Sequence, residues 1–351
     1  MSTVAPIANA LTAGKLPRNT PLWILLGSAV IVTGVALLMG NPSIAGIVVV
    51  SAILFVVLVY LLSLVVEGSR KAKDRLMTSL VTLAFLLALV PLISVAATTI
   101  GLGLARFDIE FFTTSMRNVT DAGGGALHAI VGTVLITLAT AIISIPIGIL
   151  TAIYLVEYGR GSLARWITFM VDIMIGIPSI VAGLFAYALF SLIFGPGIRL
   201  GIAGAVALSL LMIPVVVRST EEMLKLVPNE LREASLALGV PKYLTILKVV
   251  LPTSLAGIVT GSLLAVARVI GETAPLLIVA GFTQSMNYDL FSDRMMSLPL
   301  FVYSSYAQQG ADPQQFLDRA WTGALTLILI VMALNLLGRL IARIFSPKLS
   351  R

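Results

Sequence analysis

The stretch Glu233-Ala-Ser-Leu-Ala-Leu-Gly239-Val-Pro-Lys-Tyr-Leu-Thr-Ile-Leu-Lys-Val-Val-Leu-Pro252 is a charged island between long apolar segments. It reads as two short helices around an elbow. Leu231, Ala234 and Leu238 fall at i, i+3 and i+7 and give the first helix one apolar stripe. Gly239 supplies a left-handed stop, and Pro241, which cannot continue a helix, can open the next one at its first turn. Leu244, Leu247 and Leu251 then form a second stripe, with Lys242 and Lys248 off it.

Outside this island the solvent must be lipid. Of 351 residues 58% are hydrophobic and only 11% charged, with a mean hydropathy of +1.06. A soluble chain carries about 25% charged residues. The absence of cysteine excludes disulfides, thiol catalysis and thiolate metal sites. A single histidine, His128, rules out a multi-histidine metal cluster within this chain. It is read as a polar residue at the membrane interface.

Eight segments reach the ~20 apolar residues that a bilayer demands. They are Leu22–Met39, read as an uncleaved span without a convincing cleavage site, then 45–66, 76–104, 127–155, 166–194, 200–217, 254–280 and 320–340. Basic residues orient them. With the N-terminus inside, seventeen Lys and Arg fall in cytoplasmic segments, from Lys15 and Arg18 to Lys348 and Arg351. Five fall outside (Arg106, Arg117, Arg199, Arg294 and Arg319), and Arg268 lies within a span. Both termini are therefore expected in the cytoplasm, and the net charge of +7 needs no nucleic acid to explain it. The charged linker Glu67–Arg75 sets the first two spans apart as an N-terminal extension facing lipid or assembly partners. The outer loop 105–126, with Asp108, Glu110, Asp121 and the run Gly123-Gly124-Gly125, reads as flexible. No G-x-x-x-x-G-K-[ST] loop occurs, so a nucleotide would have to be bound by another polypeptide. Helix breakers recur at Pro146, Gly148, Gly176, Pro178, Gly183 and Pro214, as in segments that bend or line cavities.

Three ionisable residues lie within spans: Asp172, Arg268 and Glu272. A charge at the bilayer centre costs at least ~2.5–3.5 kcal/mol, so each needs protein or water beside it. Asp172 reads as a structural hydrogen-bonding group. Arg268 and Glu272 are four apart, on one helical face that Gly257, Gly261 and Ala265 continue. Small residues at that spacing let another helix approach closely, so the pair points at a helix interface or a central path. Two readings stay open. The pair neutralises itself and locks an interface, or Arg268 offers its planar fork to a passing oxyanion while Glu272 tunes it. A carboxylate there repels a fully ionised anion but accepts a hydrogen bond from one retaining a proton, which favours phosphate over sulfate.

Four further strings carry a resemblance: Tyr154-Leu-Val-Glu-Tyr-Gly-Arg160, Pro178-Ser-Ile-Val-Ala-Gly-Leu184, Thr220-Glu-Glu-Met-Leu-Lys-Leu-Val-Pro228 running into Leu231-Arg-Glu-Ala234, and Ala267-Arg-Val-Ile-Gly-Glu-Thr-Ala-Pro-Leu-Leu277. With the spacing of Glu233, Ala234, Gly239 and Leu251-Pro252, which is similar to the EAA loop of ABC importers, the chain resembles the membrane subunits of phosphate-specific (Pst) importers, of the PstA type. Two positions depart from the loop pattern conservatively, Ser235 for Ala and Val249 for Ile. The resemblance covers about 76–345, is specific over 127–280, and is absent from the first two spans.

It implies an all-α polytopic membrane protein with about eight transmembrane helices, six forming a type I importer core. The expected divisions are 1–75 (extension), 76–126 (first core helix and outer loop), 127–342 (permease domain, with the coupling loop 218–252) and 343–351 (cytoplasmic tail). It implies a PstC-type second permease, two copies of a PstB-type ATPase and a PstS-type phosphate-binding protein outside. The chain would bind no cofactor itself and catalyse no reaction, ATP and Mg belonging to the ATPase. Arg268 and Glu272 match the family's Arg-x-x-Gly-Glu-Thr-Ala-Pro pattern and would serve the phosphate path. Leu231, Glu233, Ala234, Leu238, Gly239, Leu251 and Pro252 would couple ATPase motion to it. Rival readings are import of molybdate or sulfate, an ion-coupled secondary transporter, and a membrane-embedded enzyme. The last two find no inverted repeat and no catalytic cluster.

Overall fold

The computed structural model describes residues 16–17, 19–40, 43–120, 123–310 and 312–345, so Lys15, Arg18, Asp121, Lys348 and Arg351 lie outside the described residues. The chain divides into two compact units, Met1–Ala97 and Thr98–Arg351.

The first unit holds α1 (Thr20–Leu38), α2 (Ile44–Val66) and most of α3 (Ser69–Gly103). Nearly every residue on these helices is apolar, and large side chains such as Leu38, Val65 and Val81 stand exposed, as expected where lipid is the solvent. The hinge between α2 and α3 is fixed by charge. Arg75 donates through Nη2 to Glu67 Oε1 at 2.8 Å and through Nε to Oε2 at 2.5 Å, Ser63 Oγ donates to Glu67 Oε2 at 2.7 Å, and the backbone N–H of Leu16 adds a fourth bond. Those donors, Arg75 foremost, hold the Glu67 carboxyl down at about 2 against an opposing burial effect.

The second unit is built around α5 (Leu127–Ile153), α8 (Gly201–Lys225), α11 (Leu251–Ile270) and α14 (Pro313–Phe345). Between them come α4 (Ile109–Thr113), α6 (Gly161–Gly176), α7 (Ser179–Phe194), α9 (Asn229–Ala237), α10 (Lys242–Thr245), α12 (Ala274–Val279) and α13 (Leu298–Ala307). α8 is the axis: α5, α6, α7, α11 and α12 all pack on it. Its core face is made of small residues (Ala203, Ala205, Ala207, with Leu208 and Met212), which lets neighbours approach closely. The seam with α11 is tighter still. A Cβ on Gly257 would lie 2.3 Å from Met223 Sδ, and one on Gly261 2.7 Å from Ser219 Oγ.

Three expectations are corrected. Residues 166–194 are not one straight span: α6 and α7 meet at 109°, because Pro178 lacks an N–H and disfavours helix at Ile177 before it. The segment expected over 254–280 runs instead from Lys242 to Ile270, and α12 is a separate short helix. The loop 105–126 is packed: Phe111 is fully buried, and a Cβ on Gly125 would collide with the Phe111 carbonyl at 2.4 Å. Among the described residues seven helices are long and apolar enough to cross a membrane, or eight if the bent pair counts as one span.

Gly261→Leu places a branched side chain where Ser219 already stands. Overpacking of this kind costs about 1–3 kcal/mol. We expect a lowered thermal midpoint for the purified variant by intrinsic fluorescence and reduced membrane levels, whereas Thr260→Leu, on the exposed side of α11, should leave both unchanged.

Candidate functional site

The elbow forms as its residues dictate. α9 ends at Ala237 with Leu238 as its cap, and Gly239 takes φ +78°, a conformation that costs other residues roughly 1–2 kcal/mol. Pro241 sits one position before α10, as its cap, with extended backbone. From Ile246 to Val250 the helix widens into a π turn and then runs unbroken into α11. That extra residue per turn rotates the faces. The expected second stripe does not turn inward. Leu247 is exposed and Leu244 and Leu251 are half-buried, while Thr245, Ile246, Val250 and Ser254 make the buried face.

The first stripe is solvent-facing. Leu231, Ala234 and Leu238 are all exposed, Leu238 at 84%, and so are Glu233, Gly239 and Pro252. On α9 only Ser235 is buried, its Oγ 2.9 Å from Thr245 Oγ1, which ties α9 to α10. The apolar residues of α9 thus face away from the rest of the chain.

What anchors this exposed helix is a pair that sequence reasoning missed. Arg232 donates through Nε and Nη2 to Glu157 Oε1 at 3.0 and 2.9 Å, through Nη2 to the Leu224 carbonyl at 2.9 Å, and through Nη1 to the Val227 carbonyl at 2.5 Å. Glu157 stands 7% exposed on the π turn Tyr154–Tyr158 that closes α5. Lys242 donates to the Glu157 carbonyl and lies 4.8 Å over the Tyr158 ring. The two residues are 75 apart, so no local pattern pairs them, although both lie in strings quoted for the resemblance.

The intramembrane charges are arranged differently from the expectation. Arg268 is on the last turn of α11, but the helix stops at Ile270, so Glu272 lies just beyond it, its N–H bonded to the Val269 carbonyl. Among the described residues no ion pair joins the two side chains. They line one cavity of about 180 Å³ with Leu211 and Val215 of α8 and Ile177 and Ser179 of the α6–α7 elbow. The contacts run antiparallel along the seam: Gly257 against Met223, Gly261 against Ser219, then Arg268 level with Leu211 and Val215. The seam is thus closed where glycines allow it and opens where Arg268 begins. Asp172 pairs with Arg218, which also binds Glu221 at 2.7 Å, itself 2.6 Å from Lys225. This network fastens α6 to α8 beside the cavity.

Membrane-crossing helices with an outward-facing apolar helix hinged to one of them describe the membrane subunit of a transporter. Residues 144–351 match the family of binding-protein-dependent transport system inner membrane components. The chain belongs to that family and, within it, to the PstA-type permeases. The phosphate transport system permease protein PstA of Mycobacterium leprae (strain TN) is 45% identical over 274 residues, spanning 77% of this chain and 88% of the relative. The protein of the same name from Yersinia pestis is 40% identical over 283 residues, spanning 78% and 92%. Among solved structures, a bacterial ABC transporter involved in import of the acidic polysaccharide alginate aligns with TM-score 0.53 at 15% identity, over 78% of this chain and 99% of that one. The inward-facing methionine transporter MetNI aligns at 0.50 and 23%, over 64% and 95%. At these identities the likeness shows the fold.

Removing one partner of a buried pair leaves the other unsatisfied, at about 3–5 kcal/mol. Arg232→Met and Glu157→Gln should each uncouple α9 from α5, and the double variant should cost less than the sum by about 0.5–3 kcal/mol. Thermal unfolding of the four proteins measures this, and strictly additive losses would show that the pair does not hold the helix. Gly239→Val should impair transport while leaving membrane insertion intact, with Gly239→Asn milder because Asn tolerates a positive φ. Uptake and membrane immunoblots on the same cells read both.

Proposed function

We propose that this chain is the permease subunit of an ATP-driven importer that moves inorganic phosphate into the cytoplasm. What supports the reading above all is the 45% identity with a named phosphate transport permease across 88% of its length. Chemistry agrees with it. A guanidinium fork matches two phosphate oxygens, and a carboxylate lining the same cavity accepts a hydrogen bond from the P–OH of hydrogen phosphate. Arg268 would take the oxyanion and Glu272 would set its protonation state and orientation.

The remaining parts follow as a mechanism. A second, PstC-type permease encloses the path, two PstB-type ATPase subunits hold ATP and Mg below, and a PstS-type protein delivers phosphate from outside. This subunit supplies no catalysis. The seventeen-to-five distribution of basic residues supports a cytoplasmic side for both termini and α9. There the stripe Leu231, Ala234 and Leu238, with Glu233 beside it, docks on the ATPase. ATPase closure carries α9 as a rigid body, held by Arg232–Glu157. The Gly239 elbow and Leu251-Pro252 pass the shift to α11, turning Arg268 from outward to inward access.

The test is radiolabelled phosphate uptake in cells lacking their own permease subunit. Wild type should restore uptake, and Arg268→Gln should assemble yet transport roughly ten- to hundredfold less, the worth of a charge-assisted contact of about 1.5–3 kcal/mol. Normal uptake by the variant would remove Arg268 from the path. Uptake of molybdate or sulfate instead of phosphate would overturn the substrate while keeping the importer.

A further inference from the structure

Two arginines that the transport mechanism leaves unused meet at the end of α8 opposite α9, roughly 35 Å along that helix. Arg199 lies two residues before α8, and Arg294 four residues before α13. Both segments are pinned beside the turn that follows α12. The Leu200 N–H donates to the Val279 carbonyl at 3.0 Å, and the Met295 N–H to the Ala280 carbonyl at 3.1 Å. A bond from the Ile202 N–H to the Leu290 carbonyl, 2.8 Å, ties the two segments to each other. The turn reaches Gly281 at φ +74°, and there the two side chains cross. A Cβ on Gly281 would lie 2.8 Å from Arg199 Cδ and 3.3 Å from Arg294 Cδ. Glycine serves twice here, through its backbone angle and through the space that both arginine stems occupy.

We infer that this pair is an oxyanion-capture site, in which one phosphate group is shared by two guanidinium forks. It rests on the phosphate reading above and sets a first station ahead of Arg268. Arg199 is half-buried and Arg294 exposed, so the pair is anchored at its base and open at its tips. Among the described residues neither arginine forms an ion pair. Asp293, next to Arg294, pairs with neither of them, and Asp289 Oδ1 accepts from the Phe291 N–H at 2.9 Å. Two like charges brought together without an acid between them repel, and an anion that bridges them turns the repulsion into attraction. Hydrogen phosphate has oxygens for both forks. Because the backbone already holds the two stems at one point, little freedom is lost when the anion binds. In the orientation proposed above the pair faces the outside, and the chain leads from Gly281 back through α12 to Glu272. With no carboxylate in the pair, sulfate binds it as phosphate does, and discrimination between them falls to Glu272.

Phenylglyoxal modifies arginine, and mass spectrometry reads each arginine separately. The experiment uses the full chain in phosphatidylcholine nanodiscs, with the exposed Arg117 as control. At constant ionic strength, inorganic phosphate should slow modification of Arg199 and Arg294 together, about tenfold near saturation, and leave Arg117 unchanged. Sulfate should protect at concentrations within about threefold of those for phosphate. Arg268→Gln should keep the protection. Arg294→Gln should raise the phosphate concentration that protects Arg199 about tenfold, because the anion then meets one fork. Equal protection by chloride, protection of one arginine alone, or an unchanged Arg199 response in Arg294→Gln would each overturn the shared site. Protection lost in Arg268→Gln would overturn it too, by showing phosphate felt from the other cavity. If phosphatidylglycerol nanodiscs protect the pair and free phosphate does not, the free anion is overturned in favour of a lipid headgroup. Uptake of molybdate or sulfate instead of phosphate would overturn the functional reading alone, since protection of both arginines by phosphate and sulfate would still support the pair.

Discussion

An exposed helix holds its place only if something ties it to the bundle, and in this protein the tie is Arg232 on Glu157. One guanidinium engages a nearly buried carboxylate at the end of α5 and two carbonyls at the end of α8. Arginine suits the task because its donors are fixed in a plane and point in several directions at once. Lys242 reaches the same turn from the far side of the elbow, so both helices flanking Gly239 converge on Glu157-Tyr158. The apolar stripe can then face outward without the helix coming loose.

A second constraint governs the membrane interior. With lipid outside, burial of apolar surface does not draw helices together, and close packing has to do so. Along α8 and α11 this is achieved by Gly257 and Gly261, and where the glycines end the seam opens around Arg268. Tight packing and the polar cavity are thus two parts of one interface. The charges that would be costly in lipid sit beside it: Arg268 and Glu272 line the opening, and Asp172 is held by Arg218.

The errors in reading the sequence have physical sources. Helical periodicity assumes a continuous helix of known phase, and the buried face lies on Thr245, Ile246 and Val250 where Leu244 and Leu247 were expected. The same assumption put Arg268 and Glu272 on one helix, although the helix ends at Ile270. Apolar length alone joined α6 to α7 across a 109° elbow that Gly176 and Pro178 foreshadow but do not measure. The triglycine of the outer loop resembles a flexible segment in composition, whereas here glycine provides the room for Phe111 to be buried.

By itself the sequence determined the solvent, the number of apolar segments, the exposed helix and the position of its hinge. All of these depend on composition or on residues within a few positions of one another, as with the positive φ that Gly239 permits. Only the tertiary structure decided what that helix is fastened to, that Arg268 and Glu272 line one cavity, and that His128 is buried against Phe301. Those are contacts between segments tens of residues apart. They are fixed by how helices pack, which no local spacing encodes.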